Sequence, residues 1–225
     1  MKHILIITGG YLNIEFAKEY CKTLSYDKVF VVDKGLEYAD ALKIQPDYIV
    51  GDFDTVNANL LEAYEQKIRQ GELQSEIERH PVQKDATDTE LALYKALEAD
   101  ADQITLLAAT GSRMDHVLAN IGLLLQPARK GVACYLVDET NRIRLLQSKK
   151  MAECTIKKEE QYGHYLSVIP LTGIVKGLTM EGVLYPLKKQ EICQGSSLTV
   201  SNEIVDTEAR IFIEEGELLV IESKD

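Results

Sequence analysis

A chain of 225 residues with 45% hydrophobic content can bury one large core or two modest ones. None of its apolar runs approaches the roughly 20 residues that a membrane helix needs. Its 36 acidic and 25 basic residues leave a formal charge of −11, a field that repels nucleic-acid backbones and anionic membranes.

That charge still admits a phosphate substrate, because a bound cation reverses the local sign. Cys21, Cys134, Cys154 and Cys193 lack C-x-x-C spacing, so neither a disulfide framework nor a zinc site is expected. The first apolar run, Ile4–Thr8, is too short for a signal peptide and leads directly into Gly9-Gly10. It reads as a buried first strand of a cytoplasmic protein.

In chain order, strands are expected at Ile4–Thr8, Val29–Asp33, Tyr48–Gly51, Ile104–Ala108 and Val132–Val137. Helical patterns lie between them near Ile14–Leu24, Asn57–Gln70, Thr87–Ala99 and Met114–Leu125. Continuous apolar strands alternating with helices predict a parallel sheet covered on both faces, with ligands beyond the carboxyl ends of its strands. After Leu146 helical periodicity fades. Short runs at Tyr165–Ile169, Ile174–Leu178, Leu198–Val200, Arg210–Ile213 and Leu218–Ile221, punctuated by Gly and Pro, predict a small antiparallel sandwich or barrel.

Three loops at the strand ends carry chemistry. Strand Tyr48–Gly51 runs into Asp52-Phe53-Asp54-Thr55. In extended backbone residues i and i+2 share a face, so Asp52 and Asp54 are expected to converge while Phe53 turns away. Two hard oxygen ligands suit magnesium, although a solvated acidic turn has the same composition. Crowded carboxylates there should titrate together, some with raised pKa.

The second loop is Lys84-Asp85-Ala86-Thr87-Asp88-Thr89-Glu90. Thr87 and Glu90 have capping-box spacing and predict a helix starting just after Thr87. Asp85 and Asp88 then flank a helix N-terminus beside Lys84; ordinary capping and a phosphate site both fit.

The third is Thr110-Gly111-Ser112-Arg113-Met114-Asp115-His116, after strand Ile104–Ala108. The apolar stripe of its helix is Met114, Val117, Leu118, Ile121 and Leu125, leaving Arg113, Asp115 and His116 off it and His116 with Asn120 on a polar face. The Arg113 fork suits phosphate or carboxylate, and His116 is equally at home as a cap or surface group. Asp33 ends the second strand at the same edge, and Gly9-Gly10 would let a ligand approach the backbone closely.

These three loops, in this order, resemble the signature loops of bacterial thiamine pyrophosphokinases. Ser167-Val168-Ile169-Pro170-Leu171-Thr172-Gly173, Gly182-Val183-Leu184-Tyr185-Pro186-Leu187 and Gly195-Ser196-Ser197 leading to Ser201-Asn202-Glu203 are similar to that family's C-terminal β-domain. The resemblance spans essentially the whole chain. It implies a Rossmann-like parallel-sheet domain for nucleotide, metal and catalysis over residues 1–146. An antiparallel β-sandwich over 147–225 would serve thiamine binding and dimerisation, in a homodimer with active sites at the subunit interface.

It further implies transfer of diphosphate from ATP to the hydroxyl of thiamine, with Mg2+. Asp33, Asp52, Asp54, Asp85 and Asp88 would form the acidic magnesium–ATP site. Lys84 and Thr87 would lie near the phosphates, with Gly9, Gly10, Gly111 and Arg113 on the nucleotide. Asp54, Asp88, Lys84 and Arg113 would act in catalysis. Asp115, His116, Ser201 and Asn202 would face thiamine.

The chain departs from the family pattern in three places. It has Asp33-Lys34-Gly35 where a Gly-Gly pair usually follows the first Asp, it has Ser112 where Gly is more usual, and it has no Trp to stack on thiamine. A diphosphokinase for another alcohol, such as a hydroxymethylpterin, is the nearest alternative. A phosphohydrolase with an aspartate nucleophile and a nucleotide or metal sensor are further ones.

Overall fold

The computed structural model describes residues 1–81 and 85–225, and the chain packs as two compact units. The first comprises Met1–Ile121 with Val137–Glu139, and the second Gly122–Leu136 with Thr140–Asp225. The units part earlier along the chain than the change of sequence pattern at Leu146. The cause is strand β7 (Asn141–Gln147), which pairs along its whole length with β13 (Glu217–Ser223).

The first unit is built on five parallel strands: β1 (His3–Ile7), β2 (Lys28–Val32), β3 (Tyr48–Gly51), β4 (Glu76–Arg79) and β5 (Gln103–Leu107). Their order is β4-β3-β2-β1-β5. The chain winds outward from β1 to β4, then returns to place β5 on the other flank of β1. A crevice therefore opens beyond the carboxyl ends of β1 and β5, where such sheets bind ligands. Every residue of β1 is buried; since side chains alternate between faces, both faces of the sheet are covered.

The connecting helices are α1 (Ile14–Thr23), α2 (Gly35–Leu42), α3 (Ala58–Arg69), α4 (Asp88–Glu98) and α5 (Met114–Leu123). Asn13, Asn57 and Thr87 cap α1, α3 and α4 through side-chain oxygens that accept backbone N–H bonds. The sequence pattern missed α2, which starts from Lys34 with no side-chain cap and has Gly35 at its first position.

The second unit holds α6 (Leu125–Lys130) and β6 (Ala133–Val137), whose last residue, Val137, belongs to the first. Strand β9 (Tyr165–Pro170) completes an antiparallel β7-β13-β9 arrangement. A separate sheet, in the order β11-β10-β12-β8, comprises β8 (Glu153–Lys157), β10 (Ile174–Glu181), β11 (Leu187–Cys193) and β12 (Glu208–Phe212). One core joins Leu166 and Val168 of β9 and Leu218 and Val220 of β13 to Met180, Ala209 and Ile211 of the other sheet. That is a β-sandwich.

Leu198–Val200 is not a strand but a turn in which the Val200 N–H donates to the carbonyl of Ser197 at 3.2 Å. Only Thr199 is buried there, its hydroxyl donating to the carbonyl of Val168, so the alternation marks a loop covering the edge of β9. Among the described residues, no helix is long and apolar enough to cross a membrane.

Candidate active site

A cavity of about 820 Å³ opens at the carboxyl ends of β1, β2, β3 and β5 and at the N-terminus of α4. Gly9, Gly10, Asp33, Asp52, Asp54, Asp85, Thr87, Asp88, Gly111, Arg113 and His116 all line it, so the three sequence loops meet. Lys84 lies outside the described residues.

The acidic pair converges by a route the sequence did not reveal. Phe53 has φ +61°, a left-handed conformation, so Asp52 and Asp54 are brought together by a turn and not by extended strand. The Asp54 N–H donates to Asp52 Oδ1 at 3.1 Å. Phe53 does turn away: it is buried, with Arg79 over its ring at 5.0 Å. The negative charge of Asp52, with its side-chain contact, pushes the Asp54 carboxyl above the usual carboxylate range, and Asp88 adds a smaller push.

Asp33 shapes this turn. A Cβ on Gly51 would stand 1.8 Å from Asp33 Oδ1, so only glycine leaves room for that carboxylate. Asp33 Oδ1 also accepts the Phe53 N–H at 3.4 Å.

Helix α4 begins where the capping pattern set it. Thr87 Oγ1 accepts the Glu90 N–H at 3.2 Å, and Asp88 is the first helical residue, 9% exposed. Asp85 is exposed at the same rim. Among the described residues, no three His, Cys, Asp or Glu side chains form a ready-made metal cage. Hard carboxylate oxygens at one rim would fit a magnesium ion that takes one or two of them and is completed by water and substrate phosphates.

Gly10 lines the cavity and also has a structural role. A Cβ there would lie 2.2 Å from the Ala108 carbonyl oxygen and 2.5 Å from that of Gly111, so Gly10 lets two protein loops meet. Gly9 has only ordinary contacts. Tyr11 and Tyr38 also line the cavity, the latter donating its hydroxyl to the Gly10 carbonyl at 2.7 Å.

Arg113 is engaged by Asp115 through two bonds, Nε to Oδ1 at 3.2 Å and Nη2 to Oδ2 at 2.6 Å. With the His116 N–H, that guanidinium pulls the Asp115 carboxyl down to about 2. The peptide between Gly111 and Ser112 is cis.

Helix α5 follows its sequence pattern only in part, with Val117 and Ile121 half-buried. Met114 and Leu118, expected on a buried stripe, are 65% and 64% exposed, whereas Asn120 is buried and donates to the Ala109 carbonyl at 2.9 Å. His116 is exposed and lines the cavity together with Asn120, so the pair shares the polar face that their i, i+4 spacing predicts.

Ser201 and Asn202 lie in the second unit. Asn202 is buried and its amide holds two loops together: Oδ1 accepts from the N–H groups of Tyr185 at 3.0 Å and Glu203 at 2.9 Å, and Nδ2 donates to the Tyr185 carbonyl at 2.9 Å. Ser201 has φ +59° and its N–H donates to Ser167 Oγ at 2.9 Å. The arrangement presents Tyr185, 64% exposed, on a loop whose Gly182–Leu187 motif was the available signal.

The sequence matches the family model for the catalytic domain of thiamin pyrophosphokinase over residues 22–136, and that for its vitamin B1 binding domain over residues 153–218. The chain belongs to the thiamine pyrophosphokinase family.

A curated thiamine pyrophosphokinase of Bacillus subtilis (strain 168) is 32% identical over 233 residues, covering 100% of both chains. The crystal structure of thiamine pyrophosphokinase from Bacillus subtilis superposes with a TM-score of 0.86 at 30% identity, over 100% of each chain. That of thiamin pyrophosphokinase from Geobacillus thermodenitrificans gives 0.81 at 29% identity, over 99% of this chain and 98% of the other. The Candida albicans enzyme, 18% identical with a TM-score of 0.75 over 98% of this chain and 90% of its own, shares the fold.

Proposed function

We infer that this chain is a thiamine pyrophosphokinase, transferring diphosphate from ATP to the hydroxyl of thiamine and releasing AMP. One observation carries the site assignment: the carboxylates Asp52, Asp54 and Asp88 and the Arg113 loop line the same cavity at the sheet's switch point. The family match favours thiamine over a hydroxymethylpterin as acceptor.

In the reaction the thiamine oxygen forms a bond to the β-phosphorus of ATP, and the bond from that phosphorus to the bridging oxygen of the α-phosphate breaks. AMP takes the electron pair, and the hydroxyl proton passes to a carboxylate, Asp54 or Asp88. Such transfers need mainly alignment and neutralisation of charge. Asp52, Asp54, Asp85 and Asp88 would hold Mg2+, with Asp33 fixing the turn between the first two. Bound magnesium supplies positive charge across the diphosphate. Arg113, released from Asp115, and Lys84 stabilise the phosphate oxygens. Thr87 and the N-terminus of α4 receive phosphate oxygens through backbone N–H groups, and Gly9, Gly10 and Gly111 border the nucleotide.

Residues 1–146 carry the catalytic machinery in this reading, and 147–225 bind thiamine and dimerise. Asp115 and His116 are the thiamine-facing residues of the first unit; in the second, Ser201 and Asn202 serve thiamine by holding the loop that presents Tyr185, the aromatic ring that substitutes for the absent Trp. The exposed Met114 and Leu118, in the first unit, would add a second patch to the homodimer interface beyond residues 147–225. Among the described residues the cysteines are free thiols, which fits the reducing cytoplasm.

Mass spectrometry of the products from purified protein, ATP, magnesium and thiamine tests the reaction. Thiamine diphosphate and AMP in equal amounts are expected. Diphosphate ester formed only when the pterin alcohol is offered, or phosphate released without any acceptor, would overturn it.

A further inference from the structure

Two buried polar side chains outside the acidic group grip consecutive carbonyls of the loop that leads to Arg113. Thr8, immediately after β1, donates Oγ1–H to the Ala108 carbonyl at 2.6 Å. Asn120, in α5, donates Nδ2–H to the Ala109 carbonyl at 2.9 Å. Both side chains are buried at the cavity wall. The Tyr11 N–H holds a third carbonyl, that of Gly111, at 2.9 Å.

The backbone they hold is one the chain would not adopt unaided. Ala108 has φ +59°, a left-handed conformation that costs a residue bearing a Cβ about 1–2 kcal/mol. Strained backbone persists where its surroundings over-determine it. An apolar side chain in place of Asn120 would avoid the desolvation of an amide, so packing alone does not explain the residue. Its bond ties the second turn of α5 back to the loop entering that helix. Arg113 sits between the two ties: its carbonyl accepts the Val117 N–H at 3.0 Å, and Ala109 lies a few residues upstream.

We propose that Asn120, assisted by Thr8, is a positioning residue for diphosphate transfer: it fixes residues 108–113 so that Arg113 meets the charge developing on the transferred group. This rests on the role given to Arg113 above. Misplacing such a group by about 1 Å costs on the order of 10²-fold in rate.

The test is a double-mutant cycle on the full-length enzyme. Asn120→Asp keeps the side chain's shape and replaces the donor with an oxygen, and Thr8→Val removes the hydroxyl. Asn120→Asp is expected to lower kcat by roughly 10- to 100-fold, with KM for ATP and thiamine within about twofold of wild type. In an Arg113→Ala background the same change should cost less than about twofold, because the positioned group is already gone. Should Asn120→Asp fail to fold, Thr8→Val carries the same cycle with a smaller expected loss.

An equal fold-loss in both backgrounds, or a wild-type kcat in Asn120→Asp, overturns the proposal while leaving the assignment of Arg113 intact. Wild-type activity in Arg113→Ala alone overturns that assignment instead.

Discussion

The two units treat buried or crowded carboxylates in opposite ways. In the C-terminal unit Glu222, 1% exposed, is met by Arg142 at 2.9 Å through Nε and 2.7 Å through Nη2, and it also accepts the Tyr162 N–H at 3.0 Å. In the N-terminal unit the negative charge of Asp52 is the main influence on Asp54, and the repulsion raises its pKa. A satisfied ion pair inside a sandwich holds strands and loop together. Like charges gathered at a cavity repel one another, and a bound cation would relieve that repulsion.

The comparison breaks most visibly at Arg142. Arg142→Ala leaves Glu222 buried without its cation and should cost roughly 3–5 kcal/mol in denaturant unfolding, with kcat of the folded fraction unchanged. Asp54→Ala should do the reverse. Turnover falls by about 10²- to 10³-fold, as for loss of one preorganised electrostatic group, while the unfolding midpoint stays the same or rises as repulsion is relieved. A variant that loses stability and keeps activity would reverse the assignment of Asp54.

Gly10→Ala sharpens the boundary between the two kinds of role. Its Cβ would meet backbone oxygens of Ala108 and Gly111, so a loss of about 1–3 kcal/mol in stability is expected together with reduced turnover. The smallest stability effect belongs to Leu118→Asp, within about 0.5 kcal/mol for the protomer, since the side chain is exposed. Light scattering should show the dimer shifted toward monomer. An unchanged oligomer would remove α5 from the proposed interface.

Much of this was legible in the sequence where local chemistry decides structure. Thr87 with Glu90 announced α4, and the apolar runs of β1 and β5 announced buried parallel strands. The charged strands β4 and β11 were hidden because few of their residues are buried, so Glu-Ile-Glu-Arg and Leu-Lys-Lys-Gln-Glu-Ile-Cys do not read as core. Helix α2 lacked a capping residue. Leu198–Val200 imitated a strand because a turn covering an edge also alternates.

At the site, the meeting of the loops was legible but its geometry was not. Nothing local marks Phe53 as left-handed; its N–H donates to Asp33, which comes from another strand. The buried side of α5 was only partly legible for a related reason. Met114, Val117, Leu118 and Ile121 form a stripe that hydrophobicity alone assigns to the core, whereas Val117 and Ile121 are half-buried, Met114 and Leu118 are exposed, and Asn120 turns inward to bond the Ala109 carbonyl.

The most direct test of the account is a crystal structure with magnesium and a non-hydrolysable ATP analogue. The account predicts an ion between the Asp52–Asp54 turn and the analogue's phosphates, with Asp88 beside it and Arg113 moved from Asp115 to a phosphate oxygen. Phosphates bound elsewhere, with no ion among these carboxylates, would contradict it.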